Sequence, residues 1–575
     1  VDIDTKRRLE RPSFFFKERP SKPLIFVTWY VNMIKKTLFL FSFCVCAFAH
    51  AQQEEAWVYL SEKTNTDTYF DNPLTMLSQR ALDRRGRQGI ALDVRDVPLD
   101  AVTVSEVSNT LGVTVMAKSK WLNALHVRGT KTAISPLSSL SGVASIAYGD
   151  NRHNKSKRTF KVKRQKLENV NEGGLLDYGP AANQIEMLHG DVLHAQGFQG
   201  EGLQISILDA GFKGVETFAA FSKLHDNNFD NGEILGGYDY VNRSVDFYQD
   251  TGSEHGLSVL STIAADVEGQ FLGTAPKAQF YLFVTEDPLN ETPLEESLWV
   301  EAAEKSDSLG VDIINTSLGY TTFDESRYNY TYSDMDGETT FVSRGAEVAV
   351  AKGIFVVVSA GNSGNSSWKY ISAPADAPSV LSVGAVDAQE ESAYFSSYGP
   401  SADGRVKPDV LAQGLYAHTI NSSGNISPSN GTSFSAPITT GLVACLWQSC
   451  PSLTVAELRQ AIKESADLFT MPTAHRGYGI PNFEAAYNTL VIEKINKAGW
   501  ELSSNFVKEF LNFKLSDEVR QLSVRVLAIS GKVLQQTTVF KENPSLAISD
   551  LSPGLYLLEL KLDGRKKVFK FVKTN

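Results

Sequence analysis

Cysteine is scarce in this chain: four residues in 575, namely Cys44, Cys46, Cys445 and Cys450. The first pair falls in a segment read below as removed, leaving too few thiols for a disulfide scaffold or a four-thiolate zinc site. Cys445 and Cys450 lie five apart on an expected helix and face different sides of it, so they are expected to stay free. An excess of positive charge is also missing. With 55 Lys+Arg against 66 Asp+Glu the formal charge is −11, which gives no overall drive toward nucleic acid or anionic lipid, and no nucleic-acid partner is expected. The N-terminal apolar run, Leu38 to Phe48, falls short of the roughly 20 residues a membrane-spanning helix needs. Hydrophobic residues make up 42% and charged residues 21%, a composition that folds, and at about 150 residues per domain the length implies three or four domains.

What is present divides the chain into segments. Met33 is followed by Lys35 and Lys36, the apolar run, and Ala49-His50-Ala51, a charged, apolar and small-x-small succession that reads as a secretory signal peptide over 33–51. Residues 1–32 precede that start and are expected to have no part in the fold. Over 52–150, strand-like runs (Trp57 to Leu60, Leu122 to Val127, Ala144 to Tyr148) alternate with helix-compatible stretches (Val104 to Leu111, Pro136 to Leu140), which suggests a small α+β unit. The linker 151–181 carries Arg152, Lys155, Lys157, Arg158, Lys161, Lys163, Arg164 and Lys166 with almost no apolar residue among them, an exposed connection open to proteolytic cutting. From 182 to 490, apolar runs at Leu203 to Leu208, Gln279 to Val284, Val311 to Asn315, Ile354 to Ser359 and Val380 to Val383 alternate with helical stretches, as in a buried parallel sheet. A second linker, 491–510, leads to a tail over 511–575 with period-two alternation around Ser530-Gly531-Lys532 and Asp563-Gly564, read as a small β-sandwich.

Four contexts in the α/β segment bear on chemistry. Asp209 closes the run Gln204 to Leu208 and precedes Ala210-Gly211, so it sits at a strand's carboxyl end, where catalytic groups of parallel sheets gather. His255 opens a helical pattern whose apolar residues Val259, Leu260 and Ile263 share one face, leaving the imidazole at the helix start, suited to a general base. Ser433, in Asn430-Gly431-Thr432-Ser433-Phe434-Ser435-Ala436-Pro437, stands at another helix N-terminus, where free amides favour developing negative charge. Asn362, in Ala360-Gly361-Asn362-Ser363-Gly364, follows a strand end and offers an uncharged donor for an oxyanion. Singly, each has a bland reading: a turn aspartate, a surface histidine, an N-cap serine, a turn asparagine.

Together these residues resemble the subtilisin-like serine peptidases, the subtilase family, over roughly 182–490. The order Asp, His, Ser is that family's. Gly273-Thr274-Ala275-Pro276 after the histidine helix is similar as well, and Ser317-Leu318-Gly319 resembles the substrate-binding strand. Two departures are Ala210, where the family usually has Ser or Thr, and Gly256-Leu257, where it usually has Gly-Thr. The resemblance implies a parallel α/β sheet with helices on both faces and a secreted serine endopeptidase acting through an acyl-enzyme. It implies Ser433 as nucleophile, His255 as base, Asp209 as its orienting partner, and Asn362 in the oxyanion hole. It also makes 52–150 similar to a subtilase propeptide that assists folding and plugs the cleft.

The tail resembles the type IX secretion sorting domain in Val524-Arg525-Val526, Ser530-Gly531-Lys532-Val533, Leu551-Ser552-Pro553-Gly554-Leu555-Tyr556 and Lys570-Phe571-Val572-Lys573. That implies a Gram-negative host, passage through the periplasm, and release or surface attachment. Expected partners are protein or peptide substrates, the chain's own propeptide and the type IX machinery. No cofactor is expected for the chemistry. Asp334 and Asp336, beside Gly337, could help hold a structural calcium, although the full ligand run of an EF-hand is missing. The rival reading is an inactive surface or adhesion scaffold that keeps the fold.

Overall fold

The computed structural model describes residues 52–150, 152, 154, 176–226, 231–497, 506–513, 515, 519–562 and 565–574. The expected signal peptide, Cys44, Cys46, most of the basic linker and the Asp563-Gly564 turn lie outside the described residues.

The N-terminal unit is a four-stranded sheet of β1 (Gln53–Leu60), β2 (Val113–Ser119), β3 (Ala124–Thr130) and β4 (Val143–Tyr148), in the order β2-β3-β1-β4. It carries helices α1 (Gln79–Arg87) and α2 (Ala101–Ser108), started by Ser78 and Asp100, whose side chains accept from the Ala81 and Thr103 amides. Val58, Leu125, Val127 and Ile134 form its own small core. Two of these elements, β2 and α1, were not anticipated from sequence.

The central domain is a seven-stranded sheet. Its strands are β5 (Gln204–Asp209), β6 (Glu233–Asp239), β7 (Gln279–Val284), β8 (Ile313–Thr316), β9 (Phe355–Ser359), β10 (Leu381–Val386) and β11 (Val410–Gln413), in the order β11-β10-β9-β8-β5-β7-β6. Every neighbouring pair is parallel. Alternation of side chains splits each inner strand between two cores. Ile205, Ile207 and Val357 join Leu260 of α3 (His255–Ala264) and Leu442 of α6 (Thr432–Ser449) on one face. Leu208, Val356 and Val358 join Trp299 of α4 (Leu294–Leu309) and Ala346 of α5 (Phe341–Ala351) on the other. Burial of each such side chain contributes about 1.5–3 kcal/mol, and with apolar residues covered on both faces the doubly wound arrangement follows. The order of the inner strands brings the carboxyl ends of β7, β5, β8 and β9 side by side, and the functional residues sit there.

The tail is a five-stranded sheet of β12 (Phe506–Val507), β13 (Gln521–Ala528), β14 (Val533–Phe540), β15 (Gly554–Leu562) and β16 (Arg565–Lys573), in the order β12-β16-β15-β13-β14. A two-stranded ribbon of Phe510–Asn512 and Ser545–Ala547 accompanies it. Val524, Val526, Leu558, Leu560 and Phe571 are among its buried residues. Among the described residues no helix is long and apolar enough to cross a membrane.

Candidate active site

Asp209 is the last residue of β5 and is 1% exposed. Its Oδ1 accepts from the Ala210 amide at 2.7 Å and lies 2.7 Å from His255 Nδ1. His255 is the first residue of α3. Helix and strand approach closely because residue 256 is glycine: a Cβ there would stand 2.7 Å from the Gly211 carbonyl oxygen and 3.0 Å from the Asp209 Cβ. Among the described residues the buried Oδ2 of Asp209 has no hydrogen-bond partner, and the next residue is Ala210, which brings no hydroxyl. Desolvation pulls the His255 pKa down, but the Asp209 charge and hydrogen bond more than offset it, so the imidazole titrates above its ordinary value.

Ser433 is the second residue of α6, so its backbone N–H belongs to the first turn, whose donors have no intrahelical acceptor. Two hydrogen bonds staple this helix start to the end of β8: Ser433 Oγ donates to the Ser317 carbonyl at 3.1 Å, and Ser317 Oγ donates to the Ser433 carbonyl at 2.9 Å. The ring of Phe434, the next residue, lies 6.0 Å from that of His255. Asn362 Oδ1 accepts from the Thr432 amide at 2.8 Å and from its hydroxyl at 2.9 Å. A backbone N–H can only donate, so the amide oxygen is fixed on that side and Nδ2 is the end left for another acceptor. Gly361 before it is left-handed at φ 104°, a conformation glycine adopts without cost. Between the ends of β8 and β9, Ser317, Leu318, Gly319, Gly361, Asn362 and Ser433 border a cavity of about 130 Å³.

All seven residues singled out from sequence for catalysis and substrate binding thus fall at one end of the sheet. Sequence reading passed over two neighbours, Glu286 and Tyr320. Glu286 lies two residues beyond β7, and its Oε1 accepts from Tyr320 Oη at 2.7 Å and from Thr285 Oγ1 at 2.9 Å. Burial, with the negative charges of Glu291 and Asp209, pushes its pKa up to about 8 against the pull of those hydrogen bonds. An acidic residue shortly after an apolar strand run was the only available signal.

The calcium candidates Asp334 and Asp336 accept hydrogen bonds from nearby residues of the chain. Asp334 Oδ2 accepts from the Thr331 amide and hydroxyl, both at 2.7 Å, and Asp336 accepts from the Glu338 and Thr339 amides at 2.9 and 2.7 Å. Each carboxylate closes its own turn. Among the described residues no group of three or more His, Cys, Asp or Glu could hold a metal ion. Cys445 and Cys450 are both buried.

Comparison with known proteins gives three family matches along the chain. The Peptidase S8 propeptide domain of Bacteroidota matches 55–166, the subtilase family matches 200–481, and the secretion system C-terminal sorting domain matches 505–574. Subtilisin NAT of Bacillus subtilis subsp. natto is 30% identical over 52% of this chain and 70% of its own length. Subtilisin DY of Bacillus licheniformis is 30% identical over 52% of this chain and 97% of its own. Serine protease AprX of Bacillus subtilis (strain 168) is 28% identical over 51% of this chain and 67% of its own. The propeptide and sorting domains mark a secreted or cell-surface protein of Bacteroidota. With the doubly wound sheet, the family match and relatives at this identity in hand, the chain belongs to the subtilase family of serine endopeptidases.

Proposed function

We propose that this protein is a secreted endopeptidase that cleaves protein substrates through an acyl-enzyme formed on Ser433, with His255 as base and Asp209 as its orienting partner. The observation that carries this reading is the approach of the hydrogen-bonded Asp209–His255 pair to the α6 start that bears Ser433, with Asn362 held beside it through its Oδ1. The Ser433 hydroxyl leaves the Ser317 carbonyl by rotating about its Cα–Cβ bond and gives its proton to His255 Nε2 as it attacks the scissile carbonyl. Catalytic hydrogen bonds of this kind commonly tighten only with substrate in place. Asp209 holds Nδ1–H and stabilises the imidazolium, which then protonates the leaving amine. Asn362 Nδ2 and the Ser433 amide receive the oxyanion. Residues 52–150 act as the inhibitory propeptide, 33–51 as the signal peptide, and cutting in the 151–181 linker releases the mature enzyme.

Two measurements test this reading. Asn362→Ala is expected to lower kcat by about 10²- to 10³-fold with KM little changed, the size known for losing one oxyanion donor in a subtilisin. A loss confined to KM would remove Asn362 from the oxyanion hole. The second measurement is the pH profile. Only neutral His255 accepts the serine proton, and its pKa is raised, so kcat/KM should fall on acidification with a midpoint above the ordinary histidine value of about 6.5. In Asp209→Asn the residual activity should show this limb shifted to lower pH, because the charge that raises the pKa is gone. A limb in the same place would detach Asp209 from His255.

A further inference from the structure

Glu286 has no role in the triad, yet it stands beside it. Across the sheet the residues at or just beyond the carboxyl ends of β7, β5, β8 and β9 are, in spatial order, Glu286, Asp209, Ser317 and Asn362. Adjacent strands are about 4.8 Å apart, so Glu286 lies one strand beyond Asp209, on the side away from the cavity next to Asn362. It is half-buried, hydrogen-bonded to Tyr320 of the segment that follows the substrate strand, and close enough to His255 to raise its pKa.

The charges facing Glu286 are almost all negative. Asp209 and Glu291 oppose its ionisation. Glu295, on α4, is pushed up to about 10 by burial and by Glu286 and Glu291, and Glu291 is pushed up to about 7 by burial and by Asp324. The basic neighbour His255 is held by Asp209. A substrate bound with its scissile carbonyl between Ser433 and Asn362 is extended, and successive side chains of an extended chain point to opposite sides. The residue before the scissile bond fills the cavity beside Ser317 and Asn362. The one before that points the other way, toward His255 and Glu286.

Resting on the function proposed above, we infer that Glu286 selects substrates with Lys or Arg as the second residue before the scissile bond, the cation pairing with the Glu286 carboxylate at the cleft edge. The chain itself supplies such sequences in the linker, at Lys157-Arg158 and Lys163-Arg164, so the same contact favours cutting of the precursor. Because burial and the neighbouring carboxylates raise the pKa of Glu286, binding a basic side chain to its protonated form expels the proton to solvent. The preference therefore grows as pH rises and Glu286 ionises.

The test uses the mature enzyme and peptides that differ only at that second position, carrying Arg, Lys, Leu or Glu. For the wild type, kcat/KM for Arg over Leu is expected to be about tenfold or more at pH 8.5, the scale of one close charge pair, and to shrink toward pH 6.5. In Glu286→Gln the ratio should fall toward one and lose its pH dependence, and in Glu286→Lys the Glu peptide should overtake the Arg peptide. A wild-type ratio near one overturns the inference while leaving the peptidase intact, and so does a ratio unchanged in Glu286→Gln. Wild-type enzyme that cleaves none of these peptides nor denatured protein overturns both readings. If neither variant folds, the wild-type ratio and its pH dependence still decide.

Discussion

Replacing Ser433 by alanine is expected to lower peptide hydrolysis by about 10⁶-fold, a size taken from the subtilisins to which this chain is related. The geometry says why so much rests on one hydroxyl. The Asp209–His255 pair is already formed at 2.7 Å, and Asn362 is fixed by two hydrogen bonds to Thr432, so neither depends on the serine side chain for its position. On the proposed mechanism, Ser433→Ala removes the attacking oxygen and leaves the oxyanion donors, which alone retain some 10³- to 10⁴-fold over water. The fold should survive, because the lost hydroxyl makes one hydrogen bond, to the Ser317 carbonyl. Its partner bond, from Ser317 Oγ to the Ser433 carbonyl, is unaffected. If the enzyme cuts its own linker, the variant should also accumulate as full precursor, seen as a single larger band that an added trace of wild type converts. Normal hydrolysis by purified Ser433→Ala protein would remove Ser433 as nucleophile.

The inner strands could be read from sequence because each is a short apolar run covered on both faces. Gln279–Val284 was placed to the residue and the others to within a few. Neither edge strand was seen: β11 has only four residues, and Gly236 and Gly237 interrupt β6, most of which is only half-buried. Helix α1 could not be found for a related reason. Its buried residues are Ala81, Arg84 and Arg85, so what marks its inner face is two arginines whose partners lie mainly in a different domain, more than 200 residues along the chain. Periodicity of apolar residues does not report burial of charge. The site was legible where a motif fixes backbone and side chain together, as around Ser433. Glu286 was not, because a carboxylate after a strand is common and only the assembled sheet places it beside His255.

Those two arginines carry the second large effect. Arg84 is fully buried: it donates to Asp307 Oδ1 at 2.5 Å, to the Lys352 carbonyl at 3.3 Å, and to the Val311 carbonyl. Arg85 holds Asp96 of its own domain through both carboxylate oxygens, at 2.9 and 2.8 Å, and reaches Asp307 Oδ2 at 2.6 Å. Asp307, near the end of α4, thus receives one arginine on each oxygen and is itself completely buried. The contact lies at the amino ends of β8 and β9, at the opposite end of the sheet from Asp209, Ser317 and Asn362, so the propeptide grips the central domain far from the candidate site. Removing one partner of a buried ion pair commonly costs 3–5 kcal/mol because the other charge is left unpaired. The propeptide segment 52–150, which has its own core, should inhibit mature enzyme in trans, and Arg84→Ala with Arg85→Ala should weaken that inhibition by at least about 10²-fold. Lysine at both positions should restore little, because an ammonium cannot span both carboxylate oxygens and the helix-end carbonyls as a guanidinium does. Circular dichroism of the isolated variant separates weak binding from failure to fold. An inhibition constant unchanged in a folded double variant would mean that the grip at the base of the sheet contributes nothing and that inhibition rests on contacts nearer the cleft.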